Sequence, residues 1–252
     1  TGFAAATYMR GVSFLQVPTT LLAQVDSSIG GKTAVNHPKG KNLIGAFYQP
    51  DLVLSDVTAF RTLPEREFNS GLVEVIKHGI ILDPEYFQML LAELAAIRER
   101  APEVMVKVVA GSCRIKARVV QEDERETGRR AILNLGHTIG HALESVTDYQ
   151  YYKHGEAVAV GIMAAFKIAR RNGLLEETGL EGSLAAFFNT MNLPTTIPGL
   201  STEKIIALLY LDKKVEYGKI RWVLPKSLGQ VMISSAIPAE TVKDTLLELG
   251  GE

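Results

Sequence analysis

The sequence predicts an α/β portion followed by a mostly α-helical domain with a small β-hairpin. Before about residue 62, short β-rich segments alternate with a helical segment and glycine-rich loops, an order typical of α/β folds with a parallel sheet. After Pro64, apolar residues recur at helical spacing through most of the chain. We therefore predict two domains, residues 1–62 and residues 63–252.

The first domain contains two predicted strands with a predicted helix between them, preceded by a helical segment at residues 1–10. Residues 12–17 and 52–54 are short, apolar and bounded by turn-forming residues, so we predict two buried strands. Thr19 and Thr20 precede an apolar run and are predicted to cap a helix. The glycine- and proline-rich residues 30–50 predict loops with a hairpin among them.

The second domain is predicted from its helical periodicity. Residues 156–168 are apolar on every face, which predicts a central buried helix. Only residues 219–224 and 230–234 resemble strands, and the turn between them predicts a hairpin. The predicted helices cover residues 65–81, 84–98, 102–121, 131–146, 156–172, 179–191, 202–209 and 239–249.

Composition and charge argue against several classes of function. The formal net charge of −1 over 252 residues gives no global attraction for nucleic acid or an anionic membrane. The longest apolar run, residues 157–166, is too short to span a bilayer. The single cysteine, Cys113, suits a reducing cytosol. We therefore expect a cytoplasmic protein that binds neither nucleic acid nor membranes.

Three of the five histidines lie in one short part of the sequence. His137 and His141 have the i, i+4 spacing that places both on one face of a helix, and His154 begins the next predicted helix. Neutral imidazoles one turn apart can share a metal ion, although hydrogen-bonded core histidines are the alternative. The HExxH motif of zincins is absent. Gly136 and Gly140 favour close packing beside the pair.

A carboxylate from another helix would complete a three-ligand metal site with open positions for substrate. Glu74 is the best candidate, because it lies in a largely apolar helical segment where a carboxylate needs a partner. Lys77, one turn away, could satisfy Glu74 by a simple ion pair. Spacing alone leaves both interpretations open. Glu144, one turn after His141, is a further acidic residue in the histidine segment.

Basic residues beside glycines indicate a phosphate site. Around residues 30–41, glycines permit close backbone approach and three lysines supply positive charge, which suits a phosphate or pyrophosphate. A P-loop is excluded, because its pattern requires glycine where this chain has Asp26. A solvated basic loop is the alternative. Among later basic residues, Lys116 and Arg130 stand out, since lysine supplies a point charge and arginine binds phosphate bidentately.

Several long motifs follow one another along the chain. They are VPTTLLAQVDSSIGGKTAVNHPKGKNLIGAFYQP at residues 17–50, SGLVEVIKHGII at 70–81, DERETGRRAILNLGHTIGHA at 123–142, HGEAVAVG at 154–161 and DKK at 212–214. These motifs, in this order, resemble the 3-dehydroquinate synthase family. The resemblance covers essentially the whole chain.

The resemblance implies the fold and the reaction. Residues 1–62 would be the remainder of a Rossmann-like nucleotide-binding domain, and residues 63–252 a helical metal- and substrate-binding domain. The implied enzyme is a phosphorus–oxygen lyase of the shikimate pathway. It would convert 3-deoxy-D-arabino-heptulosonate 7-phosphate to 3-dehydroquinate and phosphate, using NAD and one zinc or cobalt ion. The steps would be transient oxidation, phosphate elimination, re-reduction and aldol cyclisation, carried out by a homodimer.

The resemblance also assigns roles to individual residues. The implied metal ligands are Glu74, His137 and His154. The implied catalytic, substrate-contacting residues are Lys32, Lys77, Lys116, Arg130, Asn134 and His141. Asn42 and one lysine of the pair Lys213 and Lys214 would also bind substrate. The implied NAD contacts are Thr19, Thr20, Asp26, Lys32, Lys41, Phe60, Arg61 and Thr62.

One departure from the family pattern concerns the start of the chain. Residues 1–10 look like a helix already under way, whereas family members carry upstream strands and a glycine-rich turn for the NAD pyrophosphate. We therefore expect an incomplete chain, impaired in NAD binding and folding when isolated. Three rival functions remain: another sugar-phosphate cyclase of the deoxy-scyllo-inosose or valiolone type, a metal-dependent polyol dehydrogenase, and a non-catalytic binding remnant.

Overall fold

The computed structural model describes residues 1–37, 40–177, 179–211, 215–216 and 219–252. The helices are α1 (Gly2–Thr7), α2 (Glu65–Leu82), α3 (Pro84–Ala92), α4 (Leu94–Arg98), α5 (Pro102–Glu122), α6 (His137–Val146), α7 (His154–Arg171), α8 (Leu180–Thr190), α9 (Thr202–Leu211) and α10 (Ala239–Glu248). The strands are β1 (Leu15–Gln16), β2 (Lys32–His37), β3 (Gly40–Phe47), β4 (Leu52–Val53), β5 (Val215–Glu216), β6 (Lys219–Ile220), β7 (Trp222–Ser227) and β8 (Gln230–Ser234).

Strands β1 and β4 form a short parallel pair in which Leu15 faces Leu52. This confirms the predicted strands and their parallel direction. The prediction that they are buried is wrong, because Leu15 is 61% exposed and Leu52 is 52% exposed. Among the described residues β1 and β4 pair only with each other, and α1 packs against the hairpin β2–β3 instead.

Two local predictions for the first domain are confirmed. The hydroxyl Oγ1 of Thr20 accepts a hydrogen bond from the backbone N–H of Ala23 at 3.1 Å, so Thr20 caps the helical segment that follows. That segment continues as a π-helical turn at Ala23–Ser27. Strands β2 and β3 form an antiparallel hairpin, as the composition of residues 30–50 predicted.

Helix α7 lies at the centre of the helical part of the chain, as its apolar sequence predicted. Helices α2, α6, α8 and α10 and strand β7 all pack against it. Helices α6 and α7 approach closely, since a Cβ atom on Gly161 would overlap the carbonyl oxygen of Gly136. Strands β7 and β8 form the predicted hairpin. The predicted strand 219–224 is divided into β6 and β7, and β6 pairs antiparallel with β5, which was not predicted.

Two predicted helices are each interrupted. Residues 84–98 divide into α3 and α4 at Glu93. Residues 131–146 divide into a 3-10 turn at Arg129–Asn134 and helix α6. The second break lies at Gly136, whose φ of +80° a residue with a side chain rarely adopts. None of the described helices has the length and apolar character needed to cross a membrane.

Candidate metal and phosphate site

Three helices bring Glu74, His137 and His154 together. Glu74 lies within α2, while His137 and His154 are the first residues of α6 and α7. The Oε1 atom of Glu74 is 3.6 Å from Nε2 of His137 and 3.7 Å from Nε2 of His154. One donor atom from each residue lies within 4.8 Å of the other two. Two imidazoles and a carboxylate in this arrangement suit a divalent transition metal.

Glu74 uses its two oxygens differently. Its side chain is fully buried, and Oε2 accepts a hydrogen bond from Nζ of Lys77. Oε1 faces the two histidines and has no hydrogen-bond partner among the described residues. The ion pair and the ligand role, which the sequence left as alternatives, are therefore compatible. A buried acceptor without a partner is costly, and a bound cation would remove that cost.

The charge states around Glu74 favour metal binding. Burial raises the pKa of Glu74, but Lys77, His137 and His154 outweigh it and hold the pKa well below its usual range. Burial, together with repulsion from Lys77, lowers the pKa of His137 well below its usual value. Glu74 is therefore a carboxylate and His137 a neutral imidazole at pH 7. These are the forms that bind metals.

His154 carries a proton in the absence of a metal. Burial lowers its pKa, but the carboxylates of Glu144 and Glu74, which lie 3.6 and 3.7 Å from its two ring nitrogens, raise it overall to about 9. Nδ1 of His154 is 3.6 Å from Oε2 of Glu144, on the opposite side of the ring from Glu74. A metal bound at Nε2 must therefore displace one proton.

His141 lies beside this group but not in it. Its ring centroid is 5.3 Å from that of His137 and 6.3 Å from that of His154. Its donor atom lies within 4.8 Å of donors from Glu144 and His154 rather than from Glu74. The i, i+4 pair is thus divided between two groups of donors, both of which include His154.

A cavity of about 590 Å³ contains the basic residues that the sequence singled out. Asp26, Lys32, Asn42, Lys116 and Arg130 contribute to its lining. Nζ of Lys116 is 2.6 Å from Oδ1 of Asp26, and Lys116 is 5% exposed. Positive charge held in a partly enclosed cavity suits an anionic substrate group.

The Arg130 guanidinium is fixed by backbone carbonyls. Its Nη2 donates to the carbonyl of Gly30 at 3.2 Å, and Nη1 donates to the carbonyl of Glu124. Gly30 has a φ of +103°, and a Cβ atom there would overlap Nη2 of Arg130. Burial lowers the pKa of Arg130 without removing its charge at neutral pH. Arg130 is therefore held in the cavity as a cation.

Asp26 partly neutralises the cavity. Burial raises the pKa of Asp26, but Lys116 and Lys77 outweigh burial and the nearby Glu74, so the pKa is lowered overall. Asp26 is therefore a carboxylate that forms an ion pair with the Lys116 ammonium. An anionic ligand would compete with Asp26 for that ammonium.

Two acidic residues in this region were not predicted. Glu126 accepts hydrogen bonds from Lys32 and from Nδ2 of Asn134, the latter at 2.8 Å. Asp123 accepts from the backbone N–H groups of Thr127, Gly128 and Arg130 at 2.8–2.9 Å, and these bonds lower its pKa to about 2. The acidic run immediately before Arg129 and Arg130 was the available signal.

Some predicted site residues are only partly described. Asn42 lies on β3 with a φ of +54°, and its backbone N–H donates to Oδ1 of Asn36 at 3.3 Å. Lys213 and Lys214 lie outside the described residues. The side chain of Lys41 also lies outside them, although its backbone belongs to β3.

The segments predicted to contact NAD follow β1 and β4. Thr19 and Thr20 come directly after β1, and the 3-10 turn Val57–Thr62 comes shortly after β4. Because β1 and β4 are parallel neighbours, both segments lie beyond the carboxyl ends of the strands, where α/β folds bind ligands. Nε2 of Gln24 donates to the carbonyls of Pro18 and Asp56, at 3.1 and 2.8 Å, and so joins the two segments.

Phe60 differs from the other residues of that turn. Its side chain is fully buried and packs edge-on against Phe68 at a centroid distance of 5.9 Å. Its carbonyl accepts a hydrogen bond from Arg100. Arg61 and Thr62 are the residues of the stretch Phe60–Thr62 whose side chains are exposed.

Comparison with protein families and relatives gives a consistent result. A family model described as 3-dehydroquinate synthase N-terminal matches residues 1–70, and one described as 3-dehydroquinate synthase C-terminal matches residues 71–215. A 3-dehydroquinate synthase from Halorhodospira halophila is 52% identical over 98% of this chain and 70% of its own length.

Two solved structures resemble this fold. A 2-epi-5-epi-valiolone synthase from Streptomyces hygroscopicus subsp. jinggangensis 5008, with NAD⁺ and Zn²⁺ bound, has a TM-score of 0.89 at 27% identity. The match covers 98% of this chain and 69% of that one. A 2-deoxy-scyllo-inosose synthase with carbaglucose-6-phosphate, NAD⁺ and Co²⁺ has a TM-score of 0.89 at 28% identity. That match covers 98% of this chain and 70% of the other.

Proposed function

The chain belongs to the 3-dehydroquinate synthase family, and on that premise we propose that it converts 3-deoxy-D-arabino-heptulosonate 7-phosphate to 3-dehydroquinate and phosphate. One observation carries the proposal beyond family membership. The buried carboxylate of Glu74 directs its unpartnered oxygen towards two imidazoles, and a cavity lined by Lys116 and Arg130 lies in the same molecule. This combination fits a metal-dependent enzyme acting on a phosphorylated sugar.

Glu74, His137 and His154 would hold one zinc or cobalt ion. The donor set of two nitrogens and one oxygen suits either ion and leaves positions for substrate oxygens. Similar cyclases bind Zn²⁺ or Co²⁺, which supports the choice. The bound ion would supply Lewis acidity to the substrate oxygens.

Lys116, Arg130 and Lys32 would bind the substrate phosphate. Lys116 would exchange its Asp26 partner for a phosphate oxygen, while the fixed guanidinium of Arg130 would orient the group. The chain would thereby place the leaving phosphate beside the proton that departs before elimination. His141, at the edge of the metal group, would handle a proton at its imidazole.

Other residues would complete the substrate site. Lys77 would keep Glu74 in its ionised form. The family resemblance adds a contact of Lys77 with substrate. Asn134, held by Glu126, would donate to substrate hydroxyl groups. Asn42 and one lysine of the pair Lys213 and Lys214 would make further substrate contacts, as the family resemblance implies.

NAD would bind beyond the carboxyl ends of β1 and β4. Thr19, Thr20, Arg61 and Thr62 lie there, and the resemblance adds Asp26, Lys32, Lys41 and Phe60. Because the Phe60 side chain is buried, its part would be to hold the turn in place. Bound NAD would remove and return a hydride, and the transient ketone would acidify the adjacent C–H bond. The proposal includes a homodimer working in the cytoplasm.

The test is an assay of the protein as its complete natural chain, with NAD⁺, Zn²⁺ and the heptulosonate phosphate. We expect release of phosphate, formation of dehydroquinate and no net NADH, because the hydride is returned within each cycle. Net accumulation of NADH would instead indicate a polyol dehydrogenase and overturn the proposal. Turnover of a different sugar phosphate in place of this substrate would indicate another cyclase.

A further inference from the structure

Each histidine of the proposed metal site has its second ring nitrogen near an acceptor. Nδ1 of His137 is 3.2 Å from the carbonyl oxygen of Leu135. Nδ1 of His154 is 3.6 Å from Oε2 of Glu144. In both rings Nε2 is the nitrogen that faces Glu74. The two imidazoles therefore have the same arrangement, with a backbone acceptor in one case and a side-chain acceptor in the other.

The location of Glu144 suits a residue that orients the ring of His154. It is 7% exposed and lies on α6, so the helix that presents His137 also presents this carboxylate to His154. His154 is the first residue of α7 and follows a turn in which Asp148 and Tyr149 both have positive φ. With no preceding helical turn to restrain it, the ring of His154 depends on side-chain contacts for its orientation.

We propose that Glu144 is a positioning residue, which accepts a hydrogen bond from Nδ1–H of His154 and thereby directs Nε2 towards the metal ion. The inference rests on the proposed metal site. A carboxylate behind a metal-binding imidazole fixes its tautomer and makes the coordinating nitrogen a better donor. The backbone carbonyl of Leu135 does the same for His137, so the protein uses two different acceptors for one purpose.

A second ion is the competing interpretation. His141, Glu144 and His154 offer donor atoms within 4.8 Å of one another. If Nε2 of His154 binds the first ion, however, a second ion at Nδ1 would require an imidazole that has lost both N–H protons. Glu144 as an acceptor for Nδ1–H avoids that requirement. The two interpretations predict different numbers of bound ions.

The experiment measures Co²⁺ binding to the metal-free protein, by calorimetry and by the visible spectrum, for the wild type, Glu144→Gln and Glu144→Leu. We expect one ion per chain and a Kd that is weaker by about 10- to 100-fold in both variants, less in Glu144→Gln because the amide oxygen can still accept. The matched control is Glu248→Gln, which removes a carboxylate bound by Lys167 and Arg171 on another surface. It should lower stability and leave the Kd unchanged.

A second measurement does not depend on a variant that folds. In the zinc-loaded wild type, ¹⁵N–¹H correlation through the imidazole ring should show a proton on Nδ1 of His154 and none on Nε2. A proton on Nε2, or an unchanged Kd in both variants, overturns the inference and leaves the proposed function intact. Two ions in the wild type, one of them lost in Glu144→Gln, overturn it in favour of a second site. A wild type that binds no ion overturns this inference together with the proposed metal site.

Discussion

The metal group and the phosphate cavity are assembled in different ways. Glu74, His137 and His154 all lie in the predicted second domain, residues 63–252. Their contacts to Lys77, Leu135 and Glu144 lie there too. The phosphate cavity instead joins the two predicted domains. Its contacts are Lys116 with Asp26, Arg130 with Gly30, Lys32 with Glu126, and Gln49 with Glu124. Metal binding should therefore depend mainly on the helical packing, although Asp26 from residues 1–62 also lies near Glu74. Substrate binding should depend more strongly on how residues 1–62 pack against the helices.

The largest effect should come from removing a metal ligand. His154→Ala deletes one donor of three, and we expect the affinity for Co²⁺ to fall by more than about 100-fold, beyond the range for residues behind a ligand. His141→Ala is the control, because it leaves the donors around Glu74 in place. It should slow turnover while retaining the ion. Calorimetry on the metal-free variants measures the Co²⁺ affinity of each. If His141→Ala loses the ion and His154→Ala keeps it, our choice of ligands is wrong.

The next largest effect should come from the contact between α6 and α7. Gly161→Ala places a methyl group against the carbonyl of Gly136, so the helices carrying His137 and His154 must separate. We expect a loss of about 3 kcal/mol in the free energy of unfolding, measured in urea, and weaker metal binding. Gly182→Ala on α8 is the control, since its Cβ would contact nothing within 4 Å. It should raise stability by up to about 1 kcal/mol.

A smaller and more selective effect is expected at the junction of the two domains. Gly30→Ala forces Arg130 to move, and we expect KM for the phosphorylated substrate to rise about 10-fold, a value appropriate to one disturbed charged hydrogen bond. The affinity for metal should not change. Gly199→Ala is matched to it, because Gly199 also has a positive φ, +74°, but open space around it. If Gly199→Ala changes KM equally, backbone strain and not Arg130 is responsible.

The smallest effect concerns Glu248, on the surface of the second domain. Hydrogen bonds from Lys167 and Arg171 outweigh partial burial and lower its pKa to about 2. Because the folded state lowers this pKa, the carboxylate stabilises the protein above about pH 4.5, and the stabilisation is lost as the pH falls towards 2. Glu248→Gln should cost up to about 1 kcal/mol at pH 7 and progressively less below pH 4.5.

Urea titrations at several pH values measure this effect. Glu176→Gln is the control, since Glu176 forms an exposed ion pair with Lys226 at 3.1 Å. It should change stability by a few tenths of a kcal/mol at most. Neither substitution should alter metal affinity or KM. A loss for Glu248→Gln that stays constant down to pH 3 would contradict the role given to its charge.

Local sequence patterns predicted the helices and strands better than they predicted how those helices and strands pack. The apolar run in α7 and the turn residues between β7 and β8 were sufficient to predict that helix and that hairpin, because both signals act over a few residues. The break at Gly136 was not predictable, since it follows from the contact of Gly136 with Val158 and Ile162 on another helix. The exposure of Leu15 and Leu52 was missed for a similar reason, because it depends on what packs over the strands.

The site could be predicted only in part. Spacing alone pairs His137 with His141. Glu74 and His154 were candidates from their sequence context, but only the family resemblance chose them as ligands and excluded His141. Glu126 was missed because its partner Lys32 lies in the other domain, so no local spacing relates them. The need of Glu74 for a charged partner could be expected from its apolar neighbours. The division of its two oxygens between Lys77 and the histidines required the packed structure.

The close packing of α6 and α7 also bears on the order of events during folding. The two helices are consecutive, so they can meet after closing only a short loop, whereas α2 is separated from them by α3, α4 and α5. Short-range contacts form first, because less chain entropy is lost in making them. His137 and His154 should therefore become neighbours while Glu74 is still distant. A nascent chain could capture its ion through the two imidazoles, and the ion would then help to recruit α2.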